Sequence, residues 1–147
     1  MAITQAVANT FKQQVLEGKH DFQTTGGDVF NLALYVSTAT LNSATTVYSA
    51  TGEIPNSGQY AAGGGQLVKP NPSTSVASGV AIVDFADLSF TGVTITARGA
   101  LIYNTSSTNA AVAVLDFGAD KTATSGTFTI QFPAFTTSAA ILRIGNA

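Results

Sequence analysis

The chain has 147 residues, of which six are Lys or Arg and eight are Asp or Glu, so its formal net charge is -2. The absence of cysteine excludes disulfide bonds, thiolate catalysis and cysteine-based zinc sites from this sequence, and it fits folding in a reducing cytoplasm. Six scattered basic residues do not form the clustered footprint of a nucleic-acid-binding protein, and no apolar run approaches the roughly 18 residues that span a bilayer.

The surface is predicted to be weakly polar. Charged residues make up 10% of the chain, whereas about 25% is usual in soluble domains. Thr and Ser together supply 33 residues, and the mean hydropathy is +0.27. Large exposed apolar areas mark interfaces more often than free surface. The composition therefore favours a subunit of an assembly; a monomer with its apolar residues all inside is the alternative. The length predicts one domain over residues 1–147.

A helical pattern is found near the N-terminus. Apolar residues recur at every fourth position: Ile3, Val7, Phe11 and Val15. This spacing predicts an α-helix over about residues 3–17, with Thr4 as a candidate cap and Gly18 as the left-handed residue that ends it. A lone helix of this length is marginal in water, so its apolar face is expected to pack on the sheet or on another subunit.

The next two segments are a strand and a long loop. Val29–Ser37 alternates in a way that predicts a half-buried strand, with Phe30 and Leu32 on one face and Asn31 on the other. About residues 38–65 are rich in Thr, Ser, Ala and Gly and have weak periodicity. This region is predicted to be a functional or partner-contacting loop, or to hold weak strands that the pattern does not resolve.

Short strands separated by turns follow to the end of the chain. They are predicted at Gln66–Lys69, Val80–Phe85, Val93–Tyr103, Ala111–Phe117, Thr127–Phe132 and Ala140–Ile144. Gly99 is expected to form a bulge or kink, and Thr105–Ala110 is expected to be the turn between two of the strands. The pattern predicts a mainly β fold, namely an antiparallel β-sandwich or open barrel with one N-terminal α-helix.

Residues that are able to carry chemistry are few. The densest acidic set is Asp84, Asp87, Asp116 and Asp120. Oxygen-rich loops bind Ca²⁺, but the EF-hand spacing is absent. Turn caps, or ion pairs with Arg98 and Lys121, are the favoured interpretation. Asp116-Phe117-Gly118 matches a kinase tripeptide without the other kinase motifs, and it is interpreted as a strand end.

His20 is the single histidine and precedes Asp21. No nucleophile is identified for a catalytic dyad, so a structural role beside the helix end is favoured. Four tyrosines are candidates for a sugar-binding surface: Tyr35, Tyr48, Tyr60 and Tyr103. The sequence predicts no enzyme, no catalytic residue, no cofactor and no metal.

Seven segments resemble a family of small virion proteins of tailed bacteriophages. They are FKQQVLEGKHDF (Phe11–Phe22), VFNLALYVSTATL (Val29–Leu41), VDFADLSF (Val83–Phe90), ITARGALIYN (Ile95–Asn104), AVAVLDFGADK (Ala111–Lys121), FTIQFPA (Phe128–Ala134) and AILRIGNA (Ala140–Ala147). Together they cover nearly half of the chain, and none is a catalytic signature. The resemblance implies a non-enzymatic β-rich subunit present in many copies on a capsid or tail.

The favoured hypothesis is therefore a capsid decoration or cement protein that binds the major capsid protein lattice. A tail or head–tail junction component is the nearest alternative, and a carbohydrate-binding β-sandwich module is the alternative of another class. The expected partners are the major capsid protein or other virion proteins and further copies of the chain, with a trimer favoured; nucleic acid and membrane are not expected. The expected location is the virion, after assembly in the bacterial cytoplasm. The predicted interface residues are Ile3, Val7, Phe11, Val15, Tyr48 and Tyr60.

Overall fold

The computed structural model describes residues 2–145. It contains two antiparallel β-sheets and one short helix, which is consistent with a β-sandwich and not with a closed barrel. The predicted mainly β fold class is thus confirmed. The elements are β1 (Ala6–Val7), α1 (Asn9–Leu16), β2 (Phe30–Tyr35), β3 (Gly65–Gln66), β4 (Thr74–Ala77), β5 (Val80–Val83), β6 (Leu88–Asn104), β7 (Ala110–Ile130) and β8 (Leu142–Ile144). No helix in this part of the chain is long and apolar enough to cross a membrane.

The larger sheet has five strands in the order β1-β7-β6-β2-β3, and the smaller sheet has the order β4-β5-β8. The hairpin of β6 and β7 dominates the larger sheet, and its turn lies where the sequence predicts one. Beyond the residues that β1 and β2 cover, the hairpin continues as a two-stranded arm, which we call the ribbon: residues 88–97 of β6 paired with residues 121–130 of β7.

The prediction of two separate strands at Ala111–Phe117 and Thr127–Phe132 was wrong, because β7 is continuous from Ala110 to Ile130. The intervening residues pair with β6, for example Thr122 with Thr96. Their side chains are mostly exposed, so this stretch shows no alternation of apolar and polar residues that would identify a strand. The expected irregularity at Gly99 is confirmed by a register shift between Ala97 and Gly99.

The predicted start of the helix was also wrong, because α1 begins at Asn9 rather than near residue 3. The preceding backbone is extended and paired: Ile3 bridges to Leu41, and Ala6–Val7 pairs with β7. Leu41 and β7 thus supply hydrogen-bond partners for the backbone N–H and C=O groups of this segment. Pairing with them is more favourable than an additional turn of helix, which is marginally stable by itself. The end of the helix agrees with the prediction, since Gly18 has a φ of 73°.

Strand β2 is buried on both faces, so the prediction of a half-buried strand was wrong. All of its residues except Asn31 are buried. The long loop pairs with the same edge of β2 as β3 does: Ile54 N donates to Leu34 O at 3.0 Å, and Val36 N donates to Gly52 O at 3.0 Å. The loop over about residues 38–65 therefore covers part of the sheet, and β3 starts only at its end.

A row of phenylalanine rings joins the helix to the sheets. The rings of Phe22 and Phe30 stack with centroids 4.5 Å apart, and Phe30 lies 5.7 Å from Phe85. Phe11 of α1 meets Phe22 edge-on at 6.0 Å, and Phe132 lies 5.7 Å from Phe85 on the other side. Aromatic pairs at such distances add to the stability from burial alone. This row forms one end of the core and holds α1 in place.

Candidate functional site

The long loop is held to the sheet by a carboxylate with three hydrogen-bond donors. Glu53 accepts from the hydroxyl groups of Tyr48 at 2.6 Å and Tyr60 at 2.7 Å, and from the backbone N–H of Gly63 at 2.7 Å. The Tyr60 hydroxyl also accepts from the N–H of Leu34 in β2 at 2.8 Å. Hydrogen bonds to a charged group are stronger than neutral ones, so this cluster fixes the path of the loop over the sheet.

The other two tyrosines bind the same loop. Tyr35 donates to Ser49 O at 2.7 Å, and Tyr103 donates to Gly63 O at 2.6 Å. The Tyr48 and Tyr103 rings stack with centroids 4.7 Å apart. Burial, supported by the negative charge of Glu53, raises the pKa of all four tyrosines above the usual value. The hydroxyl groups therefore remain protonated donors at neutral pH.

Most of the tyrosine ring surface that was considered for sugar binding is buried in this arrangement. Tyr35, Tyr60 and Tyr103 are buried, and only Tyr48 is half-buried with part of its surface exposed. A sugar stacks on an exposed aromatic face, and these rings pack against the protein itself. Of the four tyrosines, Tyr48 alone keeps ring surface exposed to solvent, and the carbohydrate-binding alternative stays a prediction.

The predicted interface residues divide into two groups. Ile3, Phe11 and Tyr60 belong to this chain's own core and are at most 7% exposed. Val7 and Val15 are partly exposed beside α1, and Tyr48 is partly exposed at the loop. The structure does not bring the six residues together in one patch. Ile3, Val7, Phe11 and Val15 lie in the N-terminal segment and α1, whereas Tyr48 and Tyr60 bind Glu53 in the long loop.

His20 is in a buried network of amide groups. Its Nε2 lies 2.8 Å from Gln14 Oε1 of α1, and its Nδ1 lies 3.0 Å from Asn104 Nδ2 at the end of β6. Asn104 also donates to Asp28 Oδ2 at 2.7 Å. An amide donor at Nδ1 and an amide acceptor at Nε2 require the neutral ring with its proton on Nε2. Burial lowers the pKa of His20, an effect that nearby Asp28 opposes. These contacts orient the helix and provide no nucleophile.

Sequence reasoning did not single out Glu53 or Asn104. Asn104 is fully buried, and it is the one amide that ends the apolar run of β6. A polar residue at that place is a recognisable signal, because buried polar groups need partners. Glu53 carries no comparable signal, since its donors Tyr48, Tyr60 and Gly63 lie within ten residues of it but have no regular spacing, and the path of the irregular loop brings them to the carboxylate.

The four acidic residues that the sequence analysis considered as a possible Ca²⁺ site, Asp84, Asp87, Asp116 and Asp120, do not form a cluster. Asp116 pairs with Arg98 at 3.1 Å, which confirms the predicted ion pair, while Asp87 accepts from Phe132 N at 2.8 Å. The pKa of the Asp116 carboxyl is lowered, mainly by the hydrogen bond that it accepts from Gly118 N and next by its hydrogen bond with Arg98. Within residues 2–145 no group of three or more His, Asp or Glu side chains is placed to hold a metal ion.

The ribbon presents a broad hydroxyl-lined surface. Its inner side chains, including Phe90, Ile95 and Phe128, are buried. Its outer side chains are exposed and, over this stretch, all Thr or Ser: Ser89, Thr94, Thr96, Thr122, Thr124, Thr127 and Thr129. Two cross-strand hydroxyl pairs form, Ser89–Thr129 at 2.8 Å and Thr96–Thr122 at 2.9 Å. Lys121 is the one charged residue within the ribbon, so this surface is nearly uncharged.

Comparison with protein-family models, with curated proteins and with solved structures finds no match to this chain.

Proposed function

We propose that the chain is a non-enzymatic structural subunit of a tailed-bacteriophage virion, and that it decorates the head by binding the major capsid protein lattice. The resemblance of seven segments to small virion proteins is the starting point. The structural observation that carries the proposal is the nearly uncharged hydroxyl surface of the ribbon. Covering hydroxyl groups with another protein costs less solvation free energy than covering charged groups, and hydroxyl groups are able to donate and accept hydrogen bonds across the contact.

The ribbon is suited to contact in many copies. The cross-strand pairs Ser89–Thr129 and Thr96–Thr122 hold their side chains in place, so less side-chain entropy is lost on contact. Each contact of this kind is modest, and repeated contacts between linked subunits add through effective concentration. A decoration protein with several copies around a symmetry axis gains occupancy in this way.

Self-association belongs to the same proposal. The smaller sheet ends in β4, whose four residues are all exposed, and its other edge strand is β8. Unpaired strand edges are templates for pairing with another chain. We expect a closed homo-oligomer, with a trimer favoured, and light scattering coupled to size-exclusion chromatography measures its mass directly.

The location is tested by immunogold electron microscopy of virions that contain this chain. Gold distributed evenly over the heads supports decoration. Gold confined to the tail or neck supports the alternative of a tail or head–tail junction component. Intact virions without gold, but with the chain present in disrupted particles, contradict an exposed location.

The contact surface is tested by adding purified protein to capsids that lack it. Thr124 and Thr127 are exposed on the ribbon, so Thr124→Asp with Thr127→Asp adds charge there without disturbing the core. We expect strongly reduced capsid occupancy for this variant and normal occupancy for Thr51→Asp, an exposed position on the loop. Equal occupancy of both variants contradicts the ribbon as the contact surface. Deletion of the N-terminal segment is unsuitable, because Ile3 and Phe11 are core residues.

A further inference from the structure

An apolar cleft separates α1 from the smaller sheet. Its cavity volume is about 470 Å³, which lies within the range of roughly 300–1,000 Å³ that is common for binding sites. Phe11, Val15 and Leu16 line it on the helix side, and Val83, Leu142 and Ile144 line it on the sheet side. The ring of Phe11 and the side chain of Leu142 are buried, so the base of the cleft is part of the rigid core.

The rim of the cleft leaves apolar side chains in solvent. Leu16 is 89% exposed and Ile144 is 60% exposed. They belong to opposite walls of the same cleft. Single exposed apolar residues are ordinary, whereas an exposed set that is continuous with an apolar cavity indicates a binding surface.

The charges around the cleft have one sign. Lys12 and Arg143 line it together with the neutral His20, and no Asp or Glu does. The ion pairs found among residues 2–145 are Lys19–Glu17 and Arg98–Asp116, so neither cation of the cleft has an acidic partner there. The side chain of Arg143 points away from those of Leu142 and Ile144, its neighbours in β8, and its guanidinium donates to Thr137 O and Ser138 O at 3.4 and 2.9 Å. Lys12 is therefore the cation that the described lining offers to a partner, on a chain whose net charge is -2.

We propose that this cleft binds a peptide segment of a partner protein, in which apolar side chains fill the cleft and a flanking carboxylate pairs with Lys12. The protruding Leu16 and Ile144 favour a peptide over a small ligand, because a partner must cover both rims as well as the cavity. The buried centre of a protein interface is more apolar than its rim, which is polar and solvent-accessible; Lys12 fits such a rim. The proposal does not depend on the virion role, since it follows from the cleft alone.

The test begins with a yeast-displayed library of random dodecapeptides that is selected against the purified full chain. Fluorescein-labelled synthetic copies of the enriched peptides are then titrated by fluorescence anisotropy. We expect the enriched peptides to combine apolar residues with Asp or Glu and to bind more weakly at high salt, where charge pairs are screened. Leu16→Glu, and separately Lys12→Glu, should each raise the Kd about tenfold or more.

Two variants outside the cleft serve as matched controls. Val47→Glu introduces the same charge at another exposed apolar position, and Lys121→Glu reverses a lysine on the ribbon. Both should leave the Kd unchanged, and the urea midpoints of all four variants should match the parent chain. The proposal is overturned if no peptide is enriched relative to a selection carried out without the protein. It is also overturned if the enriched peptides bind Leu16→Glu with the same Kd as the parent chain. Saturable binding of sodium dodecanoate that depends on Lys12, with no enriched peptide, assigns the cleft to a small amphiphile and also overturns it.

Discussion

Tyr60 donates its hydroxyl hydrogen to Oε1 of Glu53 at 2.7 Å. The same hydroxyl oxygen accepts the backbone N–H of Leu34 at 2.8 Å, so one side chain connects the long loop to the centre of β2. Tyr60 is 1% exposed and Leu34 is fully buried, so water does not replace the hydroxyl as the partner of the Leu34 N–H.

Tyr60→Phe should lower the free energy of unfolding by about 1–3 kcal/mol, because it leaves a buried N–H without a partner and takes one donor from a carboxylate. Tyr48→Phe removes one donor from the same carboxylate at a partly exposed position and should cost less. Urea unfolding followed by circular dichroism measures both values. Equal costs for the two variants would contradict the role assigned to the Leu34 N–H.

The tyrosines should not ionise near their usual pKa of about 10 while the protein is folded. Burial raises the pKa of each of them. Above pH 10 the unfolded chain therefore loses protons that the folded chain keeps, so the free energy of unfolding falls as the pH rises. The absorbance of tyrosinate should increase together with the loss of structure. Titration of two or more tyrosines near pH 10 in a chain with unchanged circular dichroism would contradict the Glu53 cluster.

Acid should destabilise the protein through His20. Burial lowers the pKa of His20 in the folded state, so below the unfolded value of about 6.5 the unfolded chain binds a proton that the folded chain does not. The stability contributed by the neutral ring is present above that pH and is lost as the pH falls towards the folded pKa.

His20→Gln keeps a donor and an acceptor but does not titrate, which makes it the matched comparison for the acid effect. The free energy of unfolding of the parent chain should decrease more steeply than that of His20→Gln between pH 7 and pH 5. The difference is obtained from urea midpoints at each pH. Parallel pH profiles for the two proteins would show that His20 is not the responsible group.

Gly99→Ala should destabilise the fold by about 1–3 kcal/mol, the usual cost of overpacking. A Cβ atom at this position overlaps the Leu115 carbonyl oxygen and lies 2.9 Å from Ile3 Cγ2. Gly126→Ala is the control, because its nearest contact is Thr124 O at 3.4 Å and alanine fits there with a small adjustment. Thermal unfolding gives the comparison, and a Gly99→Ala midpoint at or above that of Gly126→Ala would contradict the close packing of β6 on β7.

Much of the fold is predictable from local pattern. Strand β2, the turn after Asn104 and the irregularity at Gly99 all follow from alternation and from turn residues, which are properties of short segments. The N-terminal segment is different, because Ile3 and Val7 repeat at helical spacing and yet pair with Leu41 and β7. Their backbone partners are supplied by distant residues, and local periodicity carries no information about them.

For the candidate site residues, too, local pattern predicts some features and not others. The apolar face of the helical pattern predicts Val15 as an interface residue, and the structure leaves Val15 partly exposed beside the cleft. Tyr60 was expected at an interface, but its hydroxyl is used inside the chain by Leu34 and Glu53. A tyrosine is equally suited to a surface and to a buried polar contact, so residue type alone does not separate the two roles.

The sequence by itself determined a mainly β, cysteine-free chain with few charges, because composition and the two-residue period of strands are local quantities. The tertiary structure alone decided where those strands meet, which made one continuous β7 from two predicted pieces. It also used four tyrosines to hold the long loop and, among residues 2–145, left Lys12 beside an apolar cleft without an acidic partner. These features depend on contacts between residues that are far apart in the chain, and only the closure of the fold brings such residues together.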